Sequence, residues 1–316
     1  MAGETLTTRL EGRVPPTTAV AVGVLAVSTS AILLRWSAAP PTVAAFYRVV
    51  FTTALLAPLA LTRHGEQIGS LGRRDVLTAG ATGLALAVHF AAWFQSVEWT
   101  SVAAAVTLVQ AQALFVAIGG WALLDEHLGA RKAGGIALAL AGMAMMSAGD
   151  LLGGALVGPR PLAGNALAVV GAVTMAAYVL AGRSLRVRVP LVPYVTVVYS
   201  VCAAGLLGVA LVQDVALLGY PPVEWGLFLA MAAGPGVFGH TALNWALEHV
   251  ESAVVSVSLL GEPVVSTLLA MVLPRRRPST VRESRRAGPS PAACSRPAHP
   301  AARRSRPRTR RVRAPS

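Results

Sequence analysis

The chain is poor in cysteine and in charged residues, and each shortage excludes a class of protein. Cys202 and Cys294 are its only cysteines in 316 residues, too few for a disulfide framework or a thiolate metal cluster. Charged residues make up 13% of the chain, whereas about 25% is usual for soluble domains. Hydrophobic residues reach 54%. This composition is typical of a polytopic membrane protein.

Patterns that carry enzyme chemistry are also missing from the polar segments. They contain no Ser/His/Asp set, carboxylate pair, metal-spaced histidines or phosphate loop. The segment 234–239, Gly-Pro-Gly-Val-Phe-Gly, matches the dinucleotide fingerprint, but it follows no strand and opens no crossover unit. It predicts a kinked, closely packed helix instead. The sequence therefore predicts no enzyme activity, no cofactor and no metal.

The net charge is confined to the C-terminal segment. Residues 275–316 hold 14 arginines and a single acid, Glu283, which together give the whole formal charge of +13. The other 13 basic and 13 acidic residues cancel. The body is therefore neutral and apolar, and a uniformly basic, nucleic-acid-binding protein is excluded.

What the body does contain is a series of long apolar runs. The first follows Arg9 and Arg13 and is long for a signal-peptide core, so it predicts an uncleaved first helix. Membrane spans are predicted near residues 17–35, 41–61, 76–97, 101–123, 133–150, 162–182, 191–212, 225–246 and 252–273.

The positive charges of the body predict its orientation. Arginine and lysine in short loops are retained on the cytoplasmic side. With a cytoplasmic N-terminus, only Arg35 and Arg160 face outward, and ten basic residues face the cytoplasm. The scarcity of lysine beside abundant alanine, glycine, valine and arginine is typical of a GC-rich bacterial genome. We therefore expect a multi-pass protein of the bacterial inner membrane.

An internal repeat appears when the chain is shifted against itself by 151 positions. His89 then meets His240, and Ser101 meets Ser252. These matches superpose the third and fourth spans on the eighth and ninth, which cross the membrane in the opposite direction. That is the inverted-repeat arrangement of many secondary transporters, whose binding site lies at the repeat interface.

Several segments resemble the EamA branch of the drug/metabolite transporter superfamily. Residues 107–126, which end in Leu-Leu-Asp-Glu, look like the fourth span of that family, and residues 134–142 look like its fifth. Glu262-Pro263 resembles the Glu-Pro feature of the ninth span, and residues 46–48 resemble the arginine-bearing second span. The resemblance implies ten helices in two inverted repeats of five, and export or import of small metabolites by alternating access.

The chain also departs from the family pattern. Asp125 stands where the family usually has glycine, and the segment 110–112 lacks the proline common there. The second-half Leu-Gly-Glu loop and the tenth helix are absent from the sequence. The predicted domains are a cytoplasmic tail over 1–16, a first repeat over 17–150, a second repeat over 162–273 and an Arg/Pro-rich disordered tail over 274–316.

The basic tail has two competing interpretations. A ninth span running outward would place 14 arginines on the wrong side of the membrane, which favours a frameshift near Leu273 that removed the tenth helix. GC-rich codons for apolar residues, read out of frame, give arginine, proline, alanine and serine. The alternative is a polybasic tail that binds anionic lipid or nucleic acid. Its composition predicts disorder in either case.

Ionisable residues inside the predicted spans are the candidates for a substrate or proton path, because burying a charge in a bilayer is costly. Arg48 attracts an anionic group, neutralises a buried partner or extends to the outer interface. His89 and His240 occupy equivalent repeat positions and serve proton coupling, substrate contact or helix packing. Glu262 lies mid-span before a proline and serves substrate contact or helix bending. The other polar and aromatic candidates for a cavity lining are Trp93, Gln95, Gln110, Gln112 and Asn244.

These observations together predict an all-α polytopic membrane protein with two inverted repeats, the second one helix short. The expected function is export of small metabolites or amphiphilic compounds, coupled to protons or to exchange, with a homodimer as an expected assembly. Loss of the tenth helix predicts an inactive carrier. The alternatives are a non-transporting membrane protein that acts through its basic tail and a lipid-modifying enzyme, which would need paired acids or a histidine nucleophile at the membrane face.

Overall fold

The computed structural model describes residues 15–152 and 158–272, and within these ranges the ordered elements are helices. A short helix, Gly65–Gly69, lies between the second and third long helices. The long helices are α1 Pro16–Trp36, α2 Pro41–Arg63, α3 Arg73–Trp99, α4 Val102–Val109 with Gln112–Leu123, α5 Ala130–Leu152, α6 Pro161–Arg186, α7 Leu191–Val212, α8 Pro222–His249 and α9 Ser252–Leu259 with Glu262–Val272.

The predicted all-α membrane architecture is confirmed. Within the described residues, seven helices are long and apolar enough to cross a bilayer: α1 to α4 and α6 to α8. Part of α9, Ser252–Ser266, is a shorter apolar helix. The predicted tail over 274–316 lies outside the described residues, and so does the segment where a tenth helix was predicted to be lost.

Three helices predicted as continuous spans are interrupted. Helix α1 turns at Thr29, α4 turns at Gln110-Ala111, and α9 turns at Leu260-Gly261. The break in α9 lies 150 positions after the break in α4, one position short of the offset of the sequence repeat. The two repeats therefore share a break at nearly equivalent positions, as expected for discontinuous helices beside a transport site.

The middle of α8 forms a π-helix, Ala232–Thr241. Pro235 lies inside it and cannot donate a backbone hydrogen bond. The glycines around it permit close approach: a Cβ at Gly239 would lie 2.7 Å from Val27 Cγ1, and one at Gly236 would lie 2.0 Å from Thr52 Oγ1. The segment predicted as a kinked, closely packed helix is thus a π-helix that packs tightly against α1 and α2.

The core is built from both halves of the chain. Helix α3 packs against α6 and α7, and α7 also packs against α2. The buried centre contains Phe90 and Phe94 of α3 beside Tyr194 and Val198 of α7. Because helices of the first half contact helices of the second directly, the described body folds as one compact unit.

Candidate functional site

A small cavity with both polar and apolar walls lies where the two halves meet. It has a volume of ≈ 10 Å³, about the room one water needs. Its wall comes from α2 and α3 of the first half and from α7 and α8 of the second. The side chains that line it are Arg48, Val49, Thr52, Leu86, Phe90, Tyr199 and His240.

Arg48 is the charged group of this cavity. Its side chain is 3% exposed, and its Nη1 donates a hydrogen bond to Ser30 Oγ at 3.0 Å. Its Cζ lies 4.6 Å from the centroid of the Phe90 ring, a cation–π contact. Ser30 is the first residue after the break in α1. Arg48 therefore lies inside the helix bundle rather than extending toward the membrane interface.

The charge of Arg48 has no adjacent counter-ion. Among the described residues, no carboxylate lies within 4 Å of its guanidinium. Glu262 interacts with it electrostatically from farther away, and Glu262 Oε2 accepts a hydrogen bond from Gln110 Nε2 at 3.2 Å. An arginine carries five N–H donors in a fixed fork.

A series of hydrogen bonds holds together the part of the cavity wall that α7 and α8 form. Asn244 Nδ2 donates to the carbonyl of His240 at 2.8 Å and lies 3.4 Å from the Tyr199 hydroxyl. The Tyr199 hydroxyl is 3.2 Å from Thr241 Oγ1, which donates to the carbonyl of Gly236. These bonds tie α7 to the π-helix and commit both hydroxyls to partners within the protein.

His240 lines the cavity, and its Nδ1 is buried without a hydrogen-bond partner, as is Oδ1 of Asn244 beside it. His240 is 8% exposed, and its ring meets the Phe90 ring edge-on at 5.5 Å. Buried polar atoms are nearly always paired, so an unpaired one at a cavity wall needs an explanation. A ligand acceptor or donor entering the cavity would supply that partner.

His89, at the equivalent position of the first repeat, makes different contacts. Its Nδ1 lies 2.8 Å from the carbonyl of Gly171, and its ring stacks on Trp93 with centroids 6.3 Å apart. The ring also contacts Phe90 at 5.2 Å, so the two histidines flank that phenylalanine. The structure therefore places His89 in the packing of α3 against α6.

A second polar group lies at the paired breaks of α4 and α9. Gln110 is 1% exposed and donates to Glu262, and Gln112 Nε2 donates to Gln110 Oε1 at 3.2 Å. Six of the nine predicted candidates thus form two groups: Arg48 and His240 on the cavity wall with Asn244 bonded behind it, and the two glutamines with Glu262 at the breaks. His89 and Trp93 stack on each other outside both groups. Gln95 is partly exposed and belongs to neither group.

Sequence reasoning identified Arg48 and His240 but missed the other six residues of the cavity wall: Val49, Thr52, Leu86, Phe90, Tyr199 and Gly236. Thr52 follows Arg48 by four positions, a spacing that places both on one helix face. Tyr199 places a hydroxyl group within an otherwise apolar run of the sequence. These signals identify candidates, but they do not reveal which helices meet.

Contacts between loops and helix starts close the two ends of the bundle. At one end, Glu224 of α8 accepts hydrogen bonds from Ser37 Oγ at 2.5 Å and from the Ala38 amide at 2.8 Å. At the other end, Asp75 of α3 pairs with Arg188 of the α6–α7 loop at 2.9 Å. The two contacts are equivalent under the inverted repeat, since each joins the start of a helix to the loop between the first two helices of the other half.

Glu126, at the end of α4, joins the two halves at the same end as Asp75. Its Oε1 accepts from the Ser252 amide at 2.9 Å, its Oε2 accepts from Ser252 Oγ at 2.7 Å, and Arg183 Nε lies 3.6 Å away. A carboxylate at this position caps the N-terminus of α9 and interacts favourably with the helix dipole.

The acidic residues near the α8–α9 turn are also paired. Glu248 pairs with Arg186 and Glu251 pairs with Lys132, while 38% of each acidic side chain stays exposed. Helix α6 and the start of α5 bring these basic side chains to the turn. The end that holds Asp75 is therefore fastened mainly by ion pairs.

Replacing Glu126 by alanine is expected to lower the free energy of unfolding by about 2 kcal/mol. The change removes the helix cap and leaves the Ser252 amide unsatisfied. Thermal unfolding in detergent, followed by tryptophan fluorescence, measures the loss. Glu251→Ala is the matched control, because its pair with Lys132 is partly exposed and contributes less than about 1 kcal/mol. Equal losses in both variants would contradict the capping role.

The fold and the site define a class of protein. A multi-pass helical protein with broken helices and a cavity between inverted halves has the architecture of a carrier-type membrane protein. A family model matches residues 17–148 and 162–282 and describes the EamA-like transporter family. The chain belongs to that family. The two matched ranges show the predicted two-repeat architecture.

Comparison with solved structures supports the same fold. One of them, described only as a crystal structure of a protein, is 23% identical to this chain with a TM-score of 0.68. The alignment covers 85% of this chain and 91% of the other. At this identity the likeness shows the fold alone. No curated protein matches the sequence.

Proposed function

We propose that this protein is a secondary transporter that exports small metabolites or amphiphilic compounds by alternating access. The observation that carries the proposal is the cavity between the two halves, which holds a buried arginine and an unpaired histidine nitrogen. A polar site buried in a bilayer-spanning core is costly to maintain and marks a solute path. Membership of a transporter family supports the same conclusion.

The closed ends of the bundle support the alternating-access part of the proposal. Contacts at Glu224 and at Asp75 close opposite ends, and the cavity between them has room for about one water. A carrier must open one end while the other stays closed. We propose that these two contacts separate in turn, with transport driven by protons or by exchange of solutes. Assembly as a homodimer and location in the bacterial inner membrane stay predictions.

Reversible cross-linking tests this proposal. In a chain with Cys202 and Cys294 changed to alanine, a cysteine pair replaces Ser37 and Glu224, and a second variant carries the pair at Asp75 and Arg188. Proteoliposomes are loaded with a metabolite mixture, and mass spectrometry identifies the solutes that leave. A reducible thiol cross-linker is expected to stop release in both variants, and a reductant is expected to restore it.

Single-cysteine variants treated with the same reagent are the controls. Release that continues through either cross-linked end would contradict alternating access. If well-folded wild-type protein releases no solute faster than protein-free liposomes, the transport function is wrong for this chain, and the expected inactivation through a lost tenth helix gains support.

A further inference from the structure

We propose that the cavity binds the carboxylate of a small organic acid, with Arg48 as the anion receptor and His240 as a second hydrogen-bonding partner. The inference rests on the transport function proposed above and names the substrate class of that same site. It starts from the charge state of the cavity, because an arginine stays protonated in proteins.

The first step of the argument is that Arg48 lacks a neutralising neighbour. In the described part of the chain, its hydrogen-bond partner is the neutral hydroxyl of Ser30, and its ring contact is Phe90. A buried charge that is left uncompensated is strongly unfavourable. Glu262 does not fulfil this role at close range, because it bonds to Gln110 instead. An anion that enters the cavity would supply the missing charge.

The second step concerns the geometry of the donors. A guanidinium binds a carboxylate through two parallel hydrogen bonds, which a point charge such as ammonium cannot reproduce. The unpaired Nδ1 of His240 lies on the wall of the same cavity and can donate to the anion or accept from a hydroxyl of the ligand. Thr52 and Tyr199 are already committed to protein partners.

The third step concerns the rest of the ligand. Leu86 and the face of Phe90 form the apolar part of the wall, so a ligand with further charges would bury them unpaired. The cavity is small in this closed conformation, which favours a compact molecule. The expected ligand is therefore a monocarboxylate with an apolar or aromatic remainder.

A binding experiment on the purified full-length protein tests the inference without a known substrate. Ligands are small carboxylates from acetate to phenylacetate, each compared with its amide, and sodium chloride and phosphate represent inorganic anions. Thermal unfolding in detergent reports binding. Phenylacetate is expected to bind about tenfold to a hundredfold tighter than phenylacetamide, the range that a charged hydrogen bond contributes.

Variants at the receptor separate anion binding from a structural role. Arg48→Gln is expected to abolish the preference for carboxylates, and Arg48→Lys is expected to retain part of it. Without ligand, Arg48→Gln is expected to be at least as stable as the wild type, since it removes an uncompensated buried charge. His240→Phe is expected to weaken phenylacetate binding while leaving the preference for carboxylate over amide.

Several results would overturn the inference. These are equal binding of acid and amide to the wild type, unchanged discrimination in Arg48→Gln, stabilisation by chloride or phosphate alone, or unfolding of Arg48→Gln without ligand. Failure of the anion site can also be distinguished from failure of the transport proposal. Release of uncharged solutes with no carboxylate preference would overturn the anion site and leave transport intact. Arg48-dependent binding of phenylacetate without any solute release would support the anion site and overturn the transport proposal.

Discussion

Replacing Gly236 by alanine is expected to lower the free energy of unfolding by about 1–3 kcal/mol, the usual cost of overpacking a tight core. The new Cβ would lie 2.0 Å from Thr52 Oγ1 and 3.1 Å from Thr52 Cβ. Helix α2 and the π-helix of α8 would have to separate at the cavity wall. Thermal unfolding in detergent measures the loss of stability, and we expect solute release from proteoliposomes to fall as well.

Two companion variants identify the clash as the cause. Gly226→Ala, also in α8, places a methyl group with no atom within 4 Å, and alanine favours a helix over glycine by up to about 1 kcal/mol. Its stability should therefore equal or exceed that of the wild type. Adding Thr52→Ala to Gly236→Ala removes the clashing oxygen and should restore most of the loss. Equal effects of the two glycine substitutions would contradict the close contact.

Replacing Arg186 by alanine is expected to cost about 3–5 kcal/mol, because two buried carbonyls would each lose a hydrogen bond to a charged group, at about 1.5–3 kcal/mol apiece. Arg186 is 2% exposed, its Nε donates to the carbonyl of Asn244 at 3.1 Å, and its Nη1 donates to the carbonyl of Val189. It also pairs with Glu248. Removing it leaves two buried carbonyls unpaired and detaches the end of α8 from α6.

Arg188→Ala is the matched control for this prediction. Arg188 lies two residues along the same segment and pairs with Asp75, but 45% of its side chain is exposed. Exposed pairs contribute at most about 1 kcal/mol. Thermal unfolding of the two variants in the same detergent should therefore separate them clearly. A loss in Arg188→Ala as large as that in Arg186→Ala would mean that burial does not determine the strength of these contacts.

Sequence patterns correctly predicted the features that depend on a single helix. Apolar length predicted the positions of the helices, because a bilayer core demands about 20 apolar residues for each crossing. The repeat offset of 151 residues predicted equivalent positions, and the structure places the break in α9 within one position of that offset from the break in α4. Arg48 stood out because a charge within an apolar run needs a reason to be there.

The same patterns were less informative about contacts between helices. His89 and His240 are equivalent by sequence, yet one binds the carbonyl of Gly171 and the other has a nitrogen without a partner. The arginines of the α6–α7 region served as markers of orientation, and the structure adds that Arg186 is a buried link between helices. In each case the difference depends on which neighbouring helix packs against the residue.

The sequence by itself determined that this chain is a multi-pass helical membrane protein with two repeats, because apolar length and internal similarity are properties of the linear chain. Only the tertiary structure decided which polar residues meet. Arg48 of α2, Phe90 of α3, Tyr199 of α7 and His240 of α8 are distant along the chain, and helix packing brings them to one cavity. Spacing along one helix records which residues share its face, whereas packing between helices depends on side-chain shape across the whole bundle.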